Sequence, residues 1–283
     1  MYDPWPDTVV QEVADRRAII FIGSGISRAT CQDSEGNPLP TWGDLLEKML
    51  SKINIETRKK EARKLYKNGH PLDAAQIIKD NLQQHEINAI LRSYFQNINV
   101  IDSELYEKIA LIDFPAIVTT NFDKAIENSF VKSGADHGHN VCTYYQQHAL
   151  NDIRSRSIPI LKIHGCISDP DKALLSRGDY FRSRRTDQAF FDLLESLFTL
   201  NTVIFFGYSL SDPDLRLILE NINLKHSTSM KHVILLPKER NRSQVRSLET
   251  SFNCQALEYE SSDHGKQREA LFSLYERVLE LKQ

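Results

Sequence analysis

The chain has 283 residues, of which 41% are hydrophobic and 26% charged, and a formal net charge of −3. This is ordinary globular composition with length enough for one large core, which excludes disordered and fibrous classes. The charge balance excludes a surface built throughout to neutralise nucleic-acid phosphates, and no apolar run approaches the roughly 20 residues that span a bilayer.

The opening Met1-Tyr2-Asp3-Pro4-Trp5 lacks the basic and apolar regions of a signal peptide, so a cytoplasmic location is expected, with no membrane contact and no direct nucleic-acid binding. Ala18 to Ile22 is short, apolar and β-branched and reads as a buried strand closed by a Gly-Ser-Gly turn. Pro40-Thr41-Trp42 opens a helix, with Thr41 as N-cap and Asp44 three residues on. From there to about Ile112 no strong strand signal occurs, and Pro71 to Phe95 is the clearest helical stretch. We read residues 43–112 as a helical insert within a single domain covering 1–283.

Strands then alternate with helices. Pro115 to Thr119 is a strand, Phe122 to Val131 a helix, and Asn140 to Tyr145 and Pro159 to Ile163 are strands. A helix from Asp187 to Leu200 precedes a strand from Val203 to Phe206, and Asp212-Pro213 caps the next helix. The strand His232 to Leu236, a helix near Ser243 to Phe252, a strand near Ala256 to Tyr259 and a helix from Lys266 complete the chain. This rhythm predicts an α/β fold with a doubly wound, Rossmann-like, mainly parallel sheet.

Four segments end apolar runs with polar residues: Phe21 to Ser27, Thr119 to Asp123, Lys162 to Gly165 and Phe206 to Asp212. Strand ends of this kind build the ligand crevice of an open α/β sheet. Gly23, Ser24, Gly25 and Ser27 suit a phosphate cradle with free backbone amides, although Arg28 stands where the dinucleotide fingerprint has its third glycine. Asn121 is either a helix cap or a site residue, and His164, Ser209 and Asp212 carry the same ambiguity. Cys31, Cys142, Cys166 and Cys254 show no Cys-x-x-Cys spacing, which argues against a cysteine-rich zinc framework; Cys166, two residues after His164, is the one thiol placed for a Cys–His pair. The basic clusters Arg58-Lys59-Lys60 with Arg63-Lys64, and Arg182 with Arg184-Arg185, read as solvated helix faces.

In this order the four segments resemble the sirtuin-like superfamily. Phe21 to Ser27 is similar to the sirtuin Gly-Ala-Gly-Ile-Ser loop, Thr120 to Asp123 to Gln-Asn-Ile-Asp, Ile163-His164-Gly165 to its His-Gly, and Gly207 to Leu210 to Gly-Thr-Ser-Leu. The resemblance implies NAD+ as substrate, contacted by Gly23, Ser24, Gly25, Ile26, Ser27, Gly207 and Ser209, with Asn121, Asp123 and His164 as catalytic residues and no metal. The Pro-Asp-Phe-Arg segment and zinc cysteines of deacylating sirtuins are missing, whereas Pro40-Thr41-Trp42, Gly178-Asp179-Tyr180 and Asp212-Pro213-Asp214 resemble the bacterial NADases of antiphage defence. That branch implies NAD+ glycohydrolase activity in abortive infection, a homo-oligomer and a HerA-type ATPase partner. An NAD-dependent protein deacylase and a non-catalytic NAD or ADP-ribose sensor are the alternatives.

Overall fold

The computed structural model describes residues 2–131, 138–226, 230–238, 241–260 and 265–282. The chain begins α1 (Asp7–Ala14), β1 (Ala18–Ile22), α2 (Ser24–Thr30) and β2 (Cys31–Gln32). It continues through α3 (Trp42–Lys52), α4 (Glu56–Lys67), α5 (Pro71–Asn81), α6 (Gln84–Phe95), β3 (Asn99–Val100) and α7 (Ser103–Ile112). Next come β4 (Ile117–Thr119), α8 (Ala125–Phe130), β5 (His139–Thr143), α9 (Ala149–Ile153), β6 (Ile158–Lys162), α10 (Arg177–Thr186) and α11 (Gln188–Leu200). The last elements are β7 (Thr202–Phe206), α12 (Pro213–Lys225), β8 (His232–Pro237), α13 (Arg242–Phe252), β9 (Cys254–Tyr259) and α14 (Gly265–Lys282).

Seven strands form one sheet in the order β5-β6-β4-β1-β7-β8-β9, with every pairing parallel. The fold is therefore α/β and Rossmann-like, with β1 at its centre and every β1 residue buried. Side chains alternate across a strand, and the core divides accordingly. Ile20, Ile22, Ile204 and Phe206 face the layer that holds α1, α7, α14 and the helices of residues 43–112. Ile19, Phe21, Val203 and Phe205 face the layer of α11, α12 and α13. Leu45, Met49, Ala75 and Ile78 belong to the first of these clusters, so α3 and α5 share the core of the sheet.

Three local differences from the sequence reading have physical causes. Pro71 to Phe95 is two helices, because Leu82 is extended and Gln83 starts α6 with its N–H donated to Glu86 Oε2 at 2.8 Å. The glycine turn is not an open loop: α2 begins at Ser24 with Gly23 as its cap. Within the stretch read as helical, Asn99-Val100 pairs antiparallel with Cys31-Gln32, a two-residue ladder too short to show periodicity. Among the described residues no helix is long and apolar enough to cross a membrane. Within the basic clusters Arg58, Lys59, Arg63 and Arg184 pair with Glu61, Glu56, Glu47 and Asp214.

His232 joins two strands: its Nδ1 accepts from Val203 N–H at 3.1 Å, and burial pushes the imidazole down to about 4. The neutral ring thus contributes stability that is full above its unfolded value of 6.5 and is lost as pH falls towards about 4. Urea unfolding should show about 2–3 kcal/mol lost through this residue between about pH 7 and about pH 4.5. His232→Gln should remove that part of the pH dependence; the same dependence in both proteins contradicts the assignment.

Candidate functional site

The C-terminal ends of four adjacent strands lie in register: Ile22 pairs with Thr119 and with Phe206, and Thr119 pairs with Lys162. The four polar segments leave the sheet from these ends. Pro40, Thr41, Trp42 and Gly43, with Tyr66, Gly69 and Pro71, close the space above them, and the resulting cleft has a volume of about 660 Å³. That is within the roughly 300–1,000 Å³ of small-molecule and cofactor sites.

The floor of the cleft is a contact between two turns. Gly25 N–H donates to Gly207 O at 2.9 Å, and a Cβ at Gly25 would lie 2.8 Å from that oxygen. Gly207 has φ +59°, and a Cβ there would lie 2.5 Å from Ile26 N. The glycines thus serve first to let the turns after β1 and β7 touch. This corrects the expectation of a free amide cradle, because Gly23, Gly25 and Ile26 N–H donate to Phe206 O, Gly207 O and Gly23 O. Ser24, Gly25, Ser27, Gly207 and Ser209 line the cleft, whereas Gly23 lies behind it and Ile26 is buried in the core.

Asn121, Asp123 and His164 all line the cleft. Asn121 is not a helix cap. Its Nδ2 donates to Gly23 O at 3.1 Å and to Ser27 Oγ at 2.9 Å, which ties β4 to the glycine turn. Its buried Oδ1 accepts no hydrogen bond among the described residues. Asp123 Oδ1 accepts from Ala125 N–H at 2.9 Å, which delays α8 past the predicted start. Burial pushes the Asp123 carboxyl up, against the lowering influence of Lys162, Ala125 N–H and the Ser27 hydroxyl. Lys162 is fully buried, donates to Asp123 O and pairs with Glu127 Oε1 at 2.9 Å. Burial opposes its charge, but Glu127, Cys166 and Asp123 together raise its pKa.

His164 stands two residues past the end of β6 and is aimed by the turn after it. Gly165 has φ +95°, a Cβ there would lie 2.9 Å from Lys172 O, and His164 O accepts from Leu174 N–H at 2.9 Å. His164 Nε2 stands 2.9 Å from the Tyr180 hydroxyl and 2.9 Å from Asp212 Oδ2. Asp212 also performs its predicted cap, because Oδ1 accepts from Asp214 and Leu215 N–H at 2.8 and 3.2 Å. Burial acts to raise the Asp212 carboxyl, but His164, Tyr180 and Leu215 N–H outweigh it and hold it below its ordinary value. Cys166 Sγ lies 3.5 Å from Ser168 Oγ, and the partners of His164 are Tyr180 and Asp212, not this thiol.

Tyr180 and Arg216 escaped the sequence reading as site residues. Tyr180 was visible only within Gly178-Asp179-Tyr180, and Arg216 lies four residues after Asp212, on the face of α12 that meets the cleft. Arg216 is the one Lys or Arg among the described lining residues, and its Nε donates to Leu210 O at 2.6 Å. Away from the cleft, Cys142, His148 and Asp152 are the one group among the described residues able to converge on a cation. His148 Nδ1 is already 2.6 Å from Asp152 Oδ2, and burial pushes the Cys142 thiol up to about 12.

The SIR2-like domain model matches residues 115–257, about half of the chain. The chain belongs to the SIR2-like family. Curated relatives of this SIR2-like chain include NAD(+) hydrolase ThsA of Bacillus cereus (strain MSX-D12), 25% identical over 237 residues that make up 82% of this chain and 45% of that protein. NAD(+) hydrolase ThsA of Enterococcus faecium is 28% identical over 210 residues, 72% of this chain and 40% of that protein. Defense-associated sirtuin 2 of Bacillus subtilis is 22% identical over 219 residues, 75% of this chain and 20% of that protein. The SIR2-like chain spans less than half the length of the curated relatives it matches. The crystal structure of cytosolic 5'-nucleotidase IIIB bound to cytidine aligns with 97% of this chain and 91% of that chain at 14% identity and a TM-score of 0.39, too low to establish a common fold.

The turn-to-turn contact is testable by stability. Gly207→Ala should destabilise by roughly 2–4 kcal/mol, from the left-handed backbone and the collision with Ile26 together. Gly36→Ala, where φ is +85° but no atom lies within 4 Å, should lose only the backbone part, about 1–2 kcal/mol. Equal losses in urea unfolding would show that the turns do not press on one another.

Proposed function

We propose that this SIR2-like chain hydrolyses the bond between nicotinamide and ribose in NAD+, giving nicotinamide and ADP-ribose. The observation that carries this reading is the convergence of Asn121, Asp123 and His164 on one cleft at the strand ends. Asn121 Oδ1 is buried without a donor, a costly state, and a small shift of the side chain on binding would let a ribose hydroxyl or the attacking water supply one. The names of the ThsA relatives support the same chemistry.

In the reaction the C1'–N bond breaks, its electron pair leaves with nicotinamide, and positive charge develops on the ribose. Water attacks C1' from the open face, and its proton passes to His164. Asn121 orients the ribose and the water, so that the encounter is effectively intramolecular. Asp123 holds the carboxamide by hydrogen bonding from the floor of the same cleft. Ser24, Gly25, Ser27, Gly207 and Ser209 form the wall against the dinucleotide, and Arg216 supplies the cation for its phosphates. Turnover of this kind depletes NAD+, and the name of the Bacillus subtilis relative supports a place in defence; we propose that the depletion acts against phage by abortive infection.

Asn121→Ala and His164→Ala should each reduce nicotinamide release about 10²-fold or more while still unfolding cooperatively, with a lowered melting temperature because each loses buried hydrogen-bond partners. The check is chromatographic product analysis with and without an acetylated peptide. Release of nicotinamide that requires the peptide would replace hydrolysis by deacylation. Full turnover by both folded variants would remove their proposed roles.

A further inference from the structure

We infer that Asp212 and Tyr180 are positioning residues that hold His164 as its Nε2–H tautomer, so that Nδ1 is the nitrogen that accepts the proton. The inference deepens the hydrolase reading and rests on it for the role of His164.

The argument is a count of protons. Three groups meet: His164 Nε2, the Tyr180 hydroxyl and Asp212 Oδ2, each 2.9 Å from the other two. Tyr180 has one proton, and it is donated to Asp212 Oδ2. Burial pushes the Tyr180 phenol well above its ordinary value, so it keeps that proton. Asp212, held below the ordinary carboxylate range, is ionised near neutral pH and has no proton to give. An unprotonated Nε2 would therefore set its lone pair against a carboxylate oxygen at 2.9 Å, two acceptors in a buried site. The proton is on Nε2, and in the neutral ring the lone pair is on Nδ1, which stands 3.4 Å from the same hydroxyl.

Asp212 suits this task because its other oxygen is fixed. Oδ1 is held by two backbone N–H groups at the start of α12, so the carboxylate cannot rotate away without uncapping the helix. Tyr180 is fixed from the opposite side. Asp179, next to it, accepts from Leu175 and Ser176 N–H and from Lys79 Nζ, and Arg177 grips Asp73 with two nitrogens. In the reaction the O–H bond of the water breaks, an Nδ1–H bond forms, and the resulting imidazolium lies beside the Asp212 carboxylate that stabilises it.

The test reads the ring directly. Long-range proton–nitrogen correlation spectra of the full chain with labelled histidine, in which His164 is assigned by its loss in His164→Ala, should show a protonated Nε2 and an unprotonated Nδ1. Asp212→Asn retains an oxygen for the cap and turns an amide towards Nε2, so the pattern should invert. Its kcat for NAD+ should fall about 10²-fold or more while KM changes less than about threefold. Asp212→Ser, which also caps a helix but lacks the carboxylate, should lose the tautomer preference and guards against misfolding of the first variant. A protonated Nδ1 in the neutral wild type, or a wild-type nitrogen pattern in both folded variants, overturns the inference. The nitrogen shifts are read without NAD+, so failure of the hydrolase reading and failure of this one are separate results.

Discussion

The structure depends on the contact between the turn after β1 and the turn after β7. These strands are neighbours at the centre of the sheet, and their final residues Ile22 and Phe206 are in register. Gly25 N–H to Gly207 O joins the turns, and side chains on either glycine would force them apart. Once the turns touch, Gly23 O is in place to accept from Asn121 Nδ2, and Ser27 Oγ accepts from the second hydrogen of the same Nδ2. Asn121 is thereby oriented with its oxygen unpartnered. A backbone contact at the middle of the sheet thus fixes the polar group to which the proposed chemistry is assigned.

The second organising feature is buried charge held by geometry. Lys162 lies directly before the His164 turn and joins Asp123 O to Glu127, so strand β6 and helix α8 are tied where the cleft begins. Breaking such a pair leaves an uncompensated charge in the core. On the other side of His164, the helices of residues 43–112 contribute more than a cover. Asp73, Gln76 and Lys79 on α5 meet Arg177, Gly178 and Asp179 on α10, the helix that carries Tyr180. The helical segment therefore reaches the imidazole through one hydroxyl.

The sheet was legible because buried parallel strands are short apolar runs, and Ala18 to Ile22 and Val203 to Phe206 fall within or at the observed bounds. Caps that use local chemistry were legible too: Thr41 with Asp44, and Asp212 with Pro213. What escaped was long-range. The break at Leu82 depends on a single capping interaction, and the β2–β3 ladder joins residues far apart in sequence. Asn121 as a cap was locally reasonable, but the glycine turn holds its Nδ2 and α8 begins only at Ala125, whose N–H is taken by Asp123 Oδ1. Ile26 sits in a motif shared with cleft-lining residues yet faces the core, a distinction that only the start of α2 at Ser24 determines. Tyr180 meets His164 across 16 residues through the fold, and no spacing rule announces that contact.

The central claim is that a dinucleotide lies in this cleft with its nicotinamide ribose between Asn121 and His164. A crystal structure of the His164→Ala chain soaked with NAD+ tests it most directly. The account predicts a ribose hydroxyl or an ordered water hydrogen-bonded to the Asn121 side chain, C1' facing position 164, and the phosphates along the Ser24–Gly25 and Gly207–Ser209 wall towards Arg216. NAD+ bound elsewhere, or bound with its nicotinamide ribose away from Asn121, would contradict it.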